Sequence, residues 1–290
     1  MRLLTFTVNG SSPRIGALAG PQADADVIDL SGPCAELGVG RMEQVVDRDG
    51  PVWERLEELS NTSGLPTHSL ESVTLLPPVT APLQMPFVRT NYPTPEGVRP
   101  DLERPSFFSK LPSTLLGHGG DVVLPRLSSQ VDWEAEVVLI IGRRAAHVPV
   151  DEAMDYVAGF SITNDITARD IQATGEQTLA KNFRTFAPLG PWLVTADEVP
   201  DPSVLVIRQW VNDRLYQEGP TGDMVFGIPE IVSFLSSVTD LHPGDVVATG
   251  SPAGLGLHQD PPVFLEPGDR LRVEVDGLGV LANQVVGTTD

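Results

Sequence analysis

Residues 131–141, VDWEAEVVLII, run three acidic side chains straight into an unbroken apolar stretch. With the two-residue period of a strand, Asp132, Glu134 and Glu136 fall on one face and Val131, Trp133, Ala135 and Val137 on the other. Same-face Cα atoms in a strand lie roughly 6.5–7 Å apart, so carboxylates at i and i+2 can converge on one ion. Neighbouring like charges destabilise a strand, and ionised carboxylates next to a core segment need a compensating charge. The pattern therefore predicts either a solvent-facing acidic edge or a cation site. Either way the chain must contain a sheet strand at this point.

Length permits a full core: 290 residues allow one large domain, or a large one with a smaller partner. With 19 basic against 39 acidic residues the net charge is -20, which argues against nucleic acid and anionic membranes as partners. Cys34, the single cysteine, excludes an internal disulfide and fits a reducing compartment. There is no amino-terminal signal stretch and no apolar run of membrane-spanning length, so the expectation is a cytoplasmic protein.

Along the chain, the short apolar runs 3–8, 14–18 and 27–30, separated by NGSSP and GPQAD, read as strands joined by turns. Residues 41–60 read as two short helices broken at Asp49-Gly50-Pro51. A small N-terminal domain is expected over 1–75 and a larger unit over 76–290. Residues 77–112 are rich in proline with little periodicity, which suggests a lid at about 85–105 whose end is packed by Phe107, Phe108 and Lys110. Beyond the acidic strand we expect a short helix at 151–157 capped by Asp151, an extended stretch at 158–166 and a helix at 167–180 carrying Arg169 and Gln172 on one face. A helix at 228–235 is followed by strands near 246–249, 271–275 and 280–286, the last two joined at Asp276-Gly277. The sum is an α+β, β-rich fold and not a βαβ array.

Several chemistries drop out. GSPAGLG at 250–256 has no Lys-Ser/Thr after its glycines, no GxGxxG follows a strand, and there is no GxSxG elbow. The histidines lack zinc-site spacing, so any metal is held by oxygens, which points to magnesium, manganese or calcium.

The succession EAE, GFSITNDITARD, KNFRTFAPLGPWLVT, VNDRLYQEG with Met224 and Phe226, LHPGDVVATGSPAGLG and LEPGDRLRVEVDGLGVLANQVV resembles the fumarylacetoacetate hydrolase superfamily over about 132–286. The resemblance implies a catalytic domain of rolled mixed β-sheet behind a small N-terminal α/β domain, usually a homodimer, with one Mg²⁺ or Mn²⁺ on three carboxylates. Carried onto this sequence, the ligands are Glu134, Glu136 and Asp165; Arg169 and Gln172 contact substrate oxygens; Lys181 is the catalytic lysine; Thr249 and Gly250 bind the substrate's acid end. The implied activity is metal-dependent chemistry on a small 2-oxo or 1,3-dicarbonyl acid through an enolate, foremost hydrolysis of a C–C bond in an acylpyruvate or fumarylpyruvate. Decarboxylation, tautomerisation, isomerisation, or a binding role without catalysis are the alternatives.

One departure bears on that choice. Many members of the family this chain resembles carry a lid histidine three residues after Asn-Tyr and a glutamate soon after, as a water-activating pair; here Asn91-Tyr92 is followed by Pro93-Thr94-Pro95-Glu96, with Pro95 in the histidine's place. Glu96, Glu103 or His118 would have to serve as the base. Arg184 also stands where an aspartate is common in the Lys181 motif.

Overall fold

The computed structural model describes residues 1–20 and 25–288. Of the turn expected across GPQAD, residues 21–24 lie outside the described residues. The organising unit is a large sheet in which Thr67–His68, Val27–Asp29, Arg14–Leu18, Arg2–Thr7, Ala187–Thr195, Val157–Asn164, Ala135–Ile141, Val246–Ala248, Pro86–Arg89 and Ser106–Ser109 lie side by side in that order. A second, five-stranded sheet runs Arg214–Pro220, Val206–Val211, Arg270–Val275, Gly279–Gly287, Asp121–Leu124. The mixed, β-rich architecture agrees with the expected α+β class.

Ala135–Ile141 lies inside the large sheet and is buried on both faces. Ala135, Val137, Leu139 and Ile141 enter one hydrophobic cluster with Phe160, Ile162 and Val273, while Val138 and Ile140 enter another with Leu3, Val46, Phe87 and Leu193. That double burial explains why its sequence is continuously apolar instead of alternating. It also means that the first 75 residues share sheet and core with the rest: Arg2–Thr7 pairs antiparallel with Ala187–Thr195, and Met42 and Val45 pack in the cluster that holds Phe87.

Local readings differ from the structure in four places. The strand expected across 131–141 breaks at Trp133-Glu134: Val131–Asp132 pairs with Thr167–Ala168, and only Ala135–Ile141 joins the large sheet. Asp132 consequently leaves the face it would have shared with Glu134 and Glu136. The helix read over 167–180 is that short strand plus two turns, Arg169–Gln172 and Gln177–Lys181, separated at Gly175 with φ of 92°. Asp151 does not cap the 3₁₀ helix Val150–Tyr156, whose N-cap is Pro149. The stretch read as the start of the lid, Pro86–Arg89, is a strand of the large sheet; Arg89 and Thr90 at its end are exposed, Asn91 and Tyr92 are buried, and the continuous exposed run begins at Thr94.

Helices are few and short, the longest being Ile228–Val238. Its Ile228, Ile231, Val232 and Leu235 are buried as the i, i+3, i+4, i+7 pattern requires, and the Gly227 N–H donates to Glu230 at 2.7 Å to close the first turn. No helix among the described residues is long and apolar enough to cross a membrane.

Candidate metal centre

Strand pairing brings the acidic residues together. Ala135 lies opposite Asn164 and Glu136 opposite Thr163, and the Asp165 N–H donates to the Glu134 carbonyl at 2.7 Å. Residues thirty positions apart thus meet where two strands end together. Glu134, Glu136 and Asp165 each offer one carboxylate oxygen, all within 4.8 Å of one another. Glu136 and Asp165 are fully buried, and Glu134 is partly open.

Three cations surround this cluster. The Lys181 ammonium, 2 % exposed, stands 2.8 Å from Glu134 Oε1 and 2.5 Å from Asp165 Oδ2. Lys110, equally buried, stands 2.5 Å from Asp165 Oδ1 and donates to the Ile166 carbonyl at 3.1 Å and to that of Phe186. Arg169 donates from Nε to Asp132 at 2.9 Å and from Nη1 to Gln172 at 3.0 Å, with Nη2 lying 2.9 Å from Glu134. Asp132 is itself fixed by the N–H groups of Gly256 and Leu257, so it orients the guanidinium and takes no place among the clustered carboxylates.

Charge is unevenly satisfied. Burial pushes the Glu134 carboxyl up, but Lys181 and Arg169 outweigh it and hold it down at about 2. Burial pushes Lys181 down, yet Asp165 and Glu134 reverse this and keep its ammonium above the usual lysine range. Lys110 goes the other way: burial wins over Asp165 and brings it down to about 8. Glu136 makes no ion pair among the described residues: it accepts from the Gly250 N–H at 2.8 Å, and Lys181 acts on it only through space. Burial, then Asp165 and Glu134, push it well above the ordinary carboxyl range. The three cations therefore pair with Glu134 and Asp165 and leave Glu136 without an ion pair, which a hard divalent ion would supply. The donor set fits Mg²⁺ or Mn²⁺.

A cavity of about 250 Å³ opens onto Glu134, Lys181 and Arg169 and is lined further by Gln172, Gln177, Tyr92, Thr94 and Pro95. Phe108 forms part of the lining and lies under Lys181, whose ammonium is 4.8 Å from the ring centroid. Of the expected site residues the structure brings Glu134, Glu136, Asp165, Lys181, Arg169 and Gln172 together. Thr249 and Gly250 are not on the cavity wall: the Gly250 N–H donates to Glu136, while the Thr249 hydroxyl donates to the Val137 carbonyl at 2.9 Å and its carbonyl accepts from Asn91. Gly250 needs its freedom, with φ of 91° and Asn91 Cβ 2.8 Å from where a Cβ would stand.

The candidate bases fare differently. Glu96 is exposed, accepts a hydrogen bond from Thr94 at 2.8 Å and is not on the cavity wall. Glu103 is exposed as well, and Arg184 is exposed and away from the wall. His118 accepts from the Ala282 N–H at 3.2 Å, also outside the cavity. Reasoning from sequence missed His258, which lines the cavity, and Lys110, read there only as packing. A lysine inside the aromatic run SFFSKLP was the available signal for the latter.

The family profile described as Fumarylacetoacetate (FAA) hydrolase C-terminal matches residues 89–286. Among curated proteins, human oxaloacetate tautomerase FAHD2A, mitochondrial, is 42% identical over 227 residues, 77% of this chain and 72% of that protein. The Xenopus laevis oxaloacetate tautomerase fahd2, mitochondrial, is 37% identical over 99% of this chain and 90% of its own length. Among solved structures, maleylpyruvate hydrolase from Sphingobium sp. SYK-6 in complex with manganese (II) ion and pyruvate superposes with a TM-score of 0.83 at 31% identity, covering 100% of both chains. A fumarylacetoacetate hydrolase from Exiguobacterium antarcticum gives 0.86 at 31% identity, covering 99% of this chain and 100% of that one.

Proposed function

This chain belongs to the fumarylacetoacetate hydrolase family, and from that premise we propose that it interconverts the keto and enol forms of a small 2-oxo acid of the oxaloacetate type. One observation carries the choice over C–C hydrolysis: Pro95 stands on the cavity wall at the lid position expected to hold the water-activating histidine, and Glu96 faces solvent, so the imidazole that reaches the cavity is that of His258 in the loop of 250–258. Tautomerisation needs no activated water. The tautomerase names of the curated relatives support the same reading.

Glu134, Glu136 and Asp165 would hold Mg²⁺ or Mn²⁺, whose contribution is to polarise the 2-oxo carbonyl. Arg169, held by Asp132 and Gln172, grips the substrate carboxylate with a fixed fork. Lys181 keeps its proton and faces the oxygen on which negative charge develops. In the keto-to-enol direction His258, the imidazole on the wall, takes the proton from carbon 3 and passes it to solvent while the enolate oxygen takes a proton from solvent. In the reverse direction the oxygen loses its proton to solvent and His258 delivers one to carbon 3. Gly250 acts from behind by seating Glu136, with Thr249 fixing the strand end at Val137, and the exposed segment 94–104 serves as the lid. A homodimer in a reducing compartment belongs to the same reading.

The test follows decay of enol-oxaloacetate by ultraviolet absorbance with Mg²⁺ or Mn²⁺, beside an acylpyruvate monitored by NMR. Catalysed decay, no acylpyruvate cleavage, and loss of about 10²–10³ in kcat in Lys181→Met are expected. Release of pyruvate from the acylpyruvate would reinstate hydrolysis.

A further inference from the structure

Cations in this acidic chain are almost all spoken for. Arg14, Arg143, Arg144, Arg208 and Arg270 pair with carboxylates, and Arg99 donates to the Met224 carbonyl. Arg89 is an exception with a place. It ends strand Pro86–Arg89, opposite Ser106, and lines the cavity that also receives Arg169 and Lys181. Among the described residues its guanidinium has neither an ion pair nor a hydrogen bond, and it is exposed.

The contrast with the other cavity cations is informative. Lys181 and Arg169 are buried and anchored by carboxylates, so they define the end of the cavity where the reacting carbonyl sits. Arg89 is anchored by nothing and keeps its full hydrogen-bonding fork for whatever enters. Apart from Glu134, the charged side chains on the wall are Arg89, Arg169 and Lys181, in a protein of net charge -20. Such a wall favours an anion with charge at both ends, since the overall field would otherwise repel it.

We propose that Arg89 is a specificity-determining residue that binds the distal carboxylate of a dianionic 2-oxo acid, so that the cavity selects oxo-diacids over oxo-monoacids. The proposal rests on the preceding assignment of 2-oxo-acid chemistry. Arg169 holds the carboxylate next to the 2-oxo group, and Arg89 the one at the far end. Both contacts are charge-assisted and suited to a planar carboxylate.

Binding and turnover separate the two ideas. Mn²⁺-loaded protein is titrated calorimetrically with pyruvate and with the difluoro analogue of oxaloacetate, which has no hydrogen between its carbonyl carbons and so does not enolise. The native chain prefers the dianion, Arg89→Gln loses about tenfold or more of that preference, and Arg89→Lys retains part of it. Pyruvate affinity stays the same in all three. An unchanged preference in Arg89→Gln, or an equal loss for both ligands, overturns the assignment of Arg89. A preserved, Arg89-dependent preference without turnover of oxaloacetate upholds Arg89 and removes the tautomerase reading; no binding of either probe overturns both.

Discussion

Glu136 shows how far a single side chain can be read from sequence. Its type and its i, i+2 relation to Glu134 indicated a shared ion; that it alone has no ammonium partner depends on where Lys110 and Lys181 arrive from distant segments. Because its carboxyl is raised in the folded chain, the folded state binds the proton more tightly than the unfolded one, and stability falls as pH rises above 4.5 through the folded value. Glu136→Gln should therefore stabilise the metal-free protein at pH 8 and hardly at pH 5, with about 2–4 °C in Tm for each kcal/mol relieved. Thermal unfolding in EDTA checks this, and Mn²⁺ should raise the Tm of the native chain but not of the variant. Asp132 is the opposite case. Its carboxylate belongs to the same alternating pattern, yet it orients Arg169, because the strand breaks between it and Glu134.

At the scale of elements, the loop of 250–258 couples the site's two halves. Gly250 donates to Glu136, Gly256 and Leu257 hold Asp132, and Ala253, Leu255 and His258 line the cavity. Gly254 is where this loop is most constrained: its φ is 111°, and a Cβ would lie 1.9 Å from the Tyr216 carbonyl oxygen. Gly254→Ala must displace backbone, at a cost of about 1–3 kcal/mol. We expect a lower Tm together with a fall in kcat/KM larger than the fall in Mn²⁺ affinity, read by calorimetry and enol decay, because Asp132 and Arg169 shift while the three carboxylates stay. The glycines in GSPAGLG were visible as a turn; which of them carries the strain is set by Tyr216 on the neighbouring strand Arg214–Pro220.

For the whole molecule, the first 75 residues are an extension of the large sheet. Removing them would leave Ala187–Thr195 with an open edge and uncover Phe87, Val138, Ile140 and Leu193, now buried against Leu3, Met42 and Val46. A chain starting at residue 76 should aggregate or sediment as large species, because an unpaired hydrophobic strand edge templates association. Light scattering of the truncated protein decides it: a monodisperse folded product would show that the shared core is dispensable.

Sequence alone determined the β-rich class, the apolar strand at 137–141, the helix at Ile228–Val238, the candidate ligands and two of the centre's three cations, Arg169 and Lys181, since these follow from local periodicity and from motifs in a recognisable order along the chain. Tertiary structure alone decided the pairing of charges. Which carboxylate stays unmatched, which arginine stays free, and which histidine reaches the cavity depend on contacts between residues more than a hundred positions apart, and the energy of a buried charge is fixed by its surroundings, not by its neighbours in sequence.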